Sequence, residues 1–372
     1  MNNKYIHFID QIAFGGAQTH LLTILKERKA AHPDETHILA VLFDNAGMKD
    51  LFEDIDVSVH CMGLREVFVS RKYKKVYDAI SSFIKQHSPQ IVETHLTWSR
   101  LFANTAAYYC KIPIRVGFEH GDIYLKSFPI RIANFISQFY FQSIIVCSSS
   151  LKKWAHNTHK ISNRKLHVQH NCIDLNKFTT TPGKKLDDII NVNLHDFNFI
   201  TVGTLGKGVN KRVDISIKAL QLLKRNGITA NLIICGDGEQ RTDLEILSDE
   251  LGVKDHVYFL GLRNDVEKIL PHCDAFVHAA PYEPFGIVCL EAMASGLPVI
   301  IPNSGGIAEI ITNLENGLLY EPLNPEDLAD KMHLLISDAE LYNSIKKSEL
   351  QHVKNYSVSK YVETLYDTFY NN

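Results

Sequence analysis

Short apolar runs alternate with longer stretches of helical spacing along nearly the whole chain. Tyr5–Asp10 alternates and reads as the first strand. His37–Phe43, Val57–His60, Gln90–His95, Ile114–Phe118, Ser143–Cys147 and Leu166–His170 follow as further strands. Between them come stretches with apolar residues on one helical face, such as Leu21, Leu22 and Leu25. Ser148-Ser149-Ser150 reads as a helix N-cap run. A polar stretch, Thr179–Asp188 (TTTPGKKLDD), has linker composition. The alternation then restarts, with strands at Phe199–Val202, Asn231–Cys235, Val257–Leu260, Asp274–His278 and Pro298–Ile301. Val213–Leu223 is a helix with Ile215, Ala219, Leu222 and Leu223 on one face, and Asn324–Leu335 is a capped one. Leu341–Asn372 reads as one or two terminal helices. Strands alternating with helices in both halves predict an α/β protein of two doubly wound domains. The expected division is 1–178, 179–350 and a terminal helix over 351–372.

At 372 residues the chain can form two cores. It holds no apolar run of spanning length, and its N-terminal residues lack a signal-peptide core, so cytoplasm is the expected location. Seven scattered cysteines with no C-x-x-C pair fit reduced core thiols. The net charge of −3 hides an asymmetry. Lys+Arg against Asp+Glu gives 22 − 15 = +7 for residues 1–178 and 17 − 27 = −10 for the remainder. The basic half favours an anionic partner such as a membrane surface, but the balance is too mild for nucleic acid. Leu64–Lys85 reads as a helical stretch with Arg65, Arg71, Lys72, Lys74 and Lys75 among aromatics. It suits either peripheral contact with an anionic membrane or a solvated helix face.

The candidate chemistry centres on Pro281–Glu291 (PYEPFGIVCLE), between an apolar run and a helix. Two prolines stiffen that turn, and Gly286 admits close approach to the backbone. The open N–H groups of a helix start make an anion site suited to a diphosphate. Glu283 and Glu291 bracket it, and carboxylates accept sugar-type hydroxyls. The same residues also read as a plain strand-to-helix connection with surface glutamates. Gly203–Arg212 is a Gly- and Lys-rich loop before a helix, which suits phosphate, although no G-K-[ST] closes it. Gly15-Gly16 marks a strand-to-helix turn near the start. His95 and His120 stand at strand ends, where open α/β sheets bind ligands. His156 and His159 have no acid or thiol at ligand spacing, so no metal site is expected.

The residues now form a pattern that resembles glycosyltransferase family 4, the retaining nucleotide-sugar transferases of GT-B fold. The matching stretches are Val202–Leu205, Asn210–Asp214, Gly236–Gly238, Phe259–Gly261, Leu297–Val299, Ser304–Glu309 and above all Glu283-Pro284-Phe285-Gly286 with Glu291. In the first half Gly15–Ala17, His95, His120-Gly121 and Asn171 with Ile173-Asp174 are similar too. The resemblance implies two Rossmann-like domains facing across a cleft, with the C-terminal helix returning to the first. It implies that Lys211 contacts the donor diphosphate and that Phe285, Gly286 and Ile287 offer it N–H groups. Glu291 would hold the ribose, and Glu283 the transferred sugar. Gly16 would face the sugar and phosphate, His120 the reacting carbon, and Gly261 to Arg263 the base. The chain departs from the pattern at Thr204, where arginine is usual, at a longer loop before Lys211, and at Cys172. Lys207, Lys211 or Arg212 would then share the diphosphate beside Gly203 and Thr204.

The implied function is transfer of a sugar, with retention, from a UDP- or GDP-linked donor to a lipid-linked or polysaccharide acceptor. No D-x-D motif is read near a strand end, so the leaving group is expected to be received without a metal or other cofactor. The alternatives are a nucleotide-sugar epimerase or hydrolase of the same fold, and a non-catalytic nucleotide-sugar-binding protein.

Overall fold

The apolar runs form strands, and every strand-to-strand ladder is parallel. The computed structural model describes residues 3–13, 15–43, 45–121, 128–181, 196–206 and 211–370. The chain divides into two units, Met1–Cys172 with Val358–Asn372, and Ile173–Ser357.

Among the described residues the first unit holds seven strands: β1 Lys4–Ile9, β2 Thr36–Val41, β3 Ser58–Cys61, β4 Ile91–His95, β5 Ile114–Glu119, β6 Ser143–Val146 and β7 Leu166–Val168. Their order is β3-β2-β1-β4-β5-β6-β7. Helices α1 Gly16–Ala31, α2 Lys49–Glu53, α3 Arg65–Val69, α4 Tyr73–His87, α5 Thr97–Tyr109, α6 Phe128–Ser137 and α7 Ser149–His159 connect them. Strand side chains alternate between faces. Ile6, Phe8 and Val92 pack with Ile80 and Ile84 of α4 and Ala103 and Ala106 of α5. On the other face Ile9 packs with Leu21 and Leu25 of α1. Each such fully buried aliphatic side chain is worth about 1.5–3 kcal/mol.

The second unit holds β8 Phe197–Val202, β9 Ala230–Cys235, β10 Val257–Gly261, β11 Ala275–Val277, β12 Val299–Pro302 and β13 Leu318–Tyr320, in the order β10-β9-β8-β11-β12-β13. Its helices are α8 Val213–Arg225, α9 Arg241–Glu250, α10 Val266–Ile269, α11 Ile287–Ala294, α12 Pro325–Ser337 and α13 Ala339–His352. Asn324 caps α12, accepting from the Asp327 N–H at 3.0 Å. The strand order in both sheets reverses between the first and fourth strands, β1/β4 and β8/β11. Such a switch point leaves a crevice at the strands' carboxyl ends.

Several expected boundaries move. The units part at Cys172/Ile173, not at 178/179. Cys172 stays with the first unit because its N–H donates to His20 Nε2 at 3.2 Å, whereas Ile173 bridges to Ser357 in the second. Most of the 179–188 stretch lies outside the described residues. The terminal segment returns at Val358, not at 351, because α13 runs on to His352. Helix α14, Val358–Leu365, then packs on α1 and buries Tyr361, Leu365, Tyr366 and Tyr370 in the first unit. The 64–85 stretch is two helices rather than one, broken where Arg71 takes a φ of 56°. Its Arg71, Lys72, Lys74 and Lys75 are all exposed. A 3₁₀ turn, Ile307–Ile310, follows β12.

Candidate active site

Because β8 and β11 are neighbours, the loops that follow them converge. After β8, Gly203 donates its N–H to the Cys235 carbonyl at 3.0 Å. The turns after β8 and β9 touch so closely that a Cβ at Gly236 would stand 1.9 Å from the Gly203 oxygen. The Lys211 stem lies over Gly203, where a Cβ would stand 3.4 Å from Lys211 Cε. After β11, the Gly306 N–H donates to the Glu283 carbonyl at 2.9 Å, and Ser304 Oγ donates to the Pro281 carbonyl at 2.7 Å. Gly305 has a φ of 70°, and a Cβ there would meet the Glu283 carbonyl oxygen at 2.8 Å. Only glycine fits that contact.

Three charged or polar side chains meet in this crevice. Lys211 Nζ donates to Glu283 Oε2 at 2.6 Å, and His278 Nε2 lies 3.3 Å from the same oxygen. Burial alone would raise the Glu283 carboxyl. The hydrogen bond from His278 and the charge of Lys211 outweigh it and hold the group at about 2. Glu283 is therefore a fixed anion, a hydroxyl acceptor already oriented. Beside it, Gly286 stands as the N-cap of α11, with a φ of 82° and no side-chain cap. A Cβ at Gly286 would strike Ile307 Cδ1 at 2.6 Å. Phe285 is buried and anchors the turn. Glu291, in the second turn of α11, has its carboxyl raised to about 7 by burial, against the smaller pull of Lys177 and with Glu267 adding to it. The Lys177–Glu267 pair itself closes at 3.6 Å.

In the first unit the corresponding ends carry histidines. Asp10, just past β1, accepts the N–H groups of Trp98 at 3.1 Å and Ser99 at 2.6 Å, which closes the N-terminus of α5. Gly15 caps α1 in extended backbone, and nothing lies within 4 Å of where a Gly16 Cβ would stand. His95 Nδ1 and His120 Nε2 are 3.3 Å apart with their rings stacked. Burial, with Arg100 adding and Glu119 opposing, depresses His120 to about 4, so it is neutral at pH 7. The Gly121 N–H donates to Glu119 Oε1 at 2.8 Å, and Glu119 also pairs with Arg100.

This arrangement has relatives. Residues 184–352 match the family model described as glycosyl transferases group 1, and residues 14–177 match glycosyltransferase family 4. The chain belongs to this glycosyltransferase family. An uncharacterized glycosyltransferase of Methanocaldococcus jannaschii is 40% identical over 131 residues, 34% of this chain and 33% of that protein. The UDP-Gal:alpha-D-GlcNAc-diphosphoundecaprenol alpha-1,3-galactosyltransferase of Escherichia coli is 25% identical over 304 residues, 78% of each chain. For the first curated relatives the match spans only a third to about half of their length. HepE of Anabaena, solved in complex with UDP, superposes with a TM-score of 0.85 at 20% identity, over 98% of this chain and 99% of its own. That likeness establishes the GT-B fold.

In this family 4 protein the residues singled out by sequence separate into groups. Lys211, Glu283, Gly203 and the Phe285-Gly286-Ile287 turn come together, and Glu291 lies on the same helix. Arg212 does not turn to the crevice cluster. Its guanidinium is held by Asp214, two residues on, at 2.8 and 2.9 Å. Arg263 is likewise engaged by Asp265 at 2.9 and 2.8 Å. Thr204 is exposed, and Lys207 lies outside the described residues. Sequence reasoning missed His278 as a partner of Glu283. Its position at a strand end, like that of His95 and His120, was the available signal. One D-x-D was also passed over: Asp54-Ile55-Asp56 precedes β3, and Asp56 pairs with Lys29 at 2.7 Å.

A buried polar network under the first sheet was missed as well. Arg28 Nη1 donates to Glu93 Oε1 at 2.7 Å, as does Tyr370 OH, and His7 Nδ1 lies 3.1 Å from Glu93 Oε2. His7, Glu93 and His95 bring ligand-type atoms within 4.8 Å of one another. The Arg28 guanidinium already supplies the cation that Glu93 needs, so the group reads as a hydrogen-bonded network. His156 and His159 are tied separately, to the Ile161 carbonyl at 2.8 Å and Asn134 at 3.4 Å.

Proposed function

We propose that this protein is a retaining glycosyltransferase that moves a sugar from a nucleoside-diphosphate sugar to a lipid-linked or polysaccharide acceptor in cell-surface glycan synthesis. The observation that carries the reading is the Lys211–Glu283–His278 cluster beside the N-terminus of α11. A diphosphate at that helix end would meet the N–H groups of Phe285, Gly286 and Ile287 together with the ammonium of Lys211. Lys211 spends one of its three donors on Glu283 and keeps the others for phosphate oxygens. Glu283, held ionised, accepts hydroxyls of the transferred sugar, and Glu291 accepts those of the ribose. As the sugar–phosphate bond breaks, negative charge grows on the departing nucleoside diphosphate. The helix end and Lys211 are preorganised to receive it, and this step uses no metal. In the first unit, Gly16 and the neutral His120 are assigned to the sugar and the reacting carbon.

UDP is favoured over GDP as the carrier. The E. coli relative is named for a UDP-linked donor and an undecaprenol-linked acceptor, and HepE was solved with UDP. No helix among the described residues is long and apolar enough to cross a membrane. In this reading a lipid-linked acceptor is met at the cytoplasmic face of a membrane. A thermal-shift panel of nucleoside diphosphates tests the reading, because a ligand that binds the folded form raises its stability by mass action. A shift with UDP, together with UDP release from a UDP-sugar only when acceptor is present, is the expected result. No shift with any nucleoside diphosphate would overturn it together with both alternatives, and release at equal rate without acceptor would replace it with the hydrolase or epimerase reading.

A further inference from the structure

Helix α6 is built inside out. Its inward residues are Ala133, Asn134, Ser137 and, just past its end, Gln138. Its outward residues are Phe128 (71% exposed), Ile132 (43%), Phe135 (45%) and Ile136 (42%), followed by Phe139 (62%). Positions 128, 132, 135, 136 and 139 fall on one helical face. A helix covering a core in water presents the opposite arrangement. The helix is not simply turned the wrong way, because its polar side is used. Asn134 Oδ1 accepts from Arg100 at 3.0 Å, Gln138 Oε1 accepts the Ser162 N–H at 3.1 Å, and Gln138 Nε2 donates to the Phe135 carbonyl at 3.0 Å. Five large apolar side chains on one face exceed what scattered surface hydrophobics explain.

The charge around this face selects its occupant. Helices α5 and α7, which pack against α6, carry no Asp or Glu, and α7 adds the exposed Lys153 and the half-buried Lys152. The helix itself carries Arg131, exposed, and no acid. Tyr108 and Tyr109, exposed at the end of the adjoining α5, add side chains that favour a membrane–water boundary. A second copy of this chain would bring like charge against like. We propose that the outer face of α6 lies in the headgroup–acyl boundary of an anionic bilayer, with the phenylalanines and isoleucines inserted and the surrounding cations on lipid phosphates. Apolar insertion plus charge attraction is the physics of a helix that lies on a membrane without crossing it. The inference gives the proposed lipid-linked acceptor a meeting place, and it rests on that reading only for this purpose.

The test is co-sedimentation of the full chain with phosphatidylcholine vesicles, with and without phosphatidylglycerol, at low and physiological salt. The parent protein is expected to pellet with the anionic vesicles. The Phe128→Ser, Ile132→Ser, Phe135→Ser triple variant is expected to bind at least about tenfold more weakly. The Arg131→Glu, Lys153→Glu double variant is expected to lose binding most at low salt. All substituted side chains are at the surface, so circular dichroism and the UDP thermal shift should match the parent. That match separates failure of the membrane surface from failure of the donor site. Equal pelleting of the triple variant, or no pelleting of the parent, would overturn the proposal. So would light scattering that shows a parent dimer reduced to monomer by the triple variant, which would assign the face to a second copy.

Discussion

The Lys211→Met variant tests the crevice most directly. Methionine keeps an unbranched stem over Gly203 and removes only the ammonium. In the parent, Glu283 sits at about 2, well below the ordinary carboxylate range, despite the burial that would raise it. At about 1.36 kcal/mol per pKa unit, a depression of that size is worth a few kcal/mol. His278 supplies part of that, so losing Lys211 should cost about 2 kcal/mol of stability at pH 7. The sign follows from the depressed carboxyl. The contribution is complete above the ordinary carboxylate range and is lost as pH falls through about 2. The gap between parent and variant should therefore be full at pH 7 and shrink toward strong acid. Both tryptophans, Trp98 and Trp154, lie in the first unit, so their fluorescence would miss this change. Hydrogen–deuterium exchange of peptides covering β8 and β11 reports on the right unit. In turnover, losing a preorganised charge contact should cost roughly 10²–10³-fold in kcat. Parent-rate sugar transfer by the variant, or unchanged exchange protection at pH 7, would refute the reasoning.

Other consequences can be measured independently. Glu291 is raised to about 7, so below that pH the native protein holds a proton that the unfolded chain has already released, and stability declines as pH rises from about 4.5 to 7. Because the ionised form is the hydroxyl acceptor, UDP should bind roughly tenfold more tightly at pH 8 than at pH 6, and Glu291→Gln should flatten that profile in calorimetric titration. Gly286→Ala places a Cβ against Ile307 at a φ of 82° and should destabilise by about 1–3 kcal/mol with loss of UDP binding; adding Ile307→Ala should restore part of the melting temperature. Glu93→Gln leaves the fully buried Arg28 without its counter-charge and should cost about 3–5 kcal/mol, visible in urea unfolding followed by tryptophan fluorescence.

Much of this architecture is legible in the apolar runs, because a parallel strand covered on both faces needs consecutive apolar residues. Phe199–Val202 and Asn231–Cys235 are of that kind, and the turn from Glu283 to Gly286 carries its own backbone chemistry. His278 was harder to read. Its role depends on a distance of 3.3 Å across a turn, and periodicity carries no such information. The same holds for Arg212, a plausible phosphate ligand by position that Asp214 engages locally. The Arg28–Glu93–Tyr370 network joins residues far apart in sequence, so no local pattern announces it. The apolar face of α6 is visible as spacing, but spacing alone does not say which side of a helix meets water.

The return of the last helix changes how this protein can be dissected. The first unit is encoded in two pieces, Met1–Cys172 and Val358–Asn372, with the whole second unit inserted between them. Tyr366 and Tyr370 from the short piece complete the polar cluster around Arg28, Glu35 and Glu93. A fragment that stops near residue 178 would strip that cluster of its cover and leave a buried guanidinium facing solvent. Isolating the first half thus calls for supplying the tail, as a separate peptide or rejoined through a short loop.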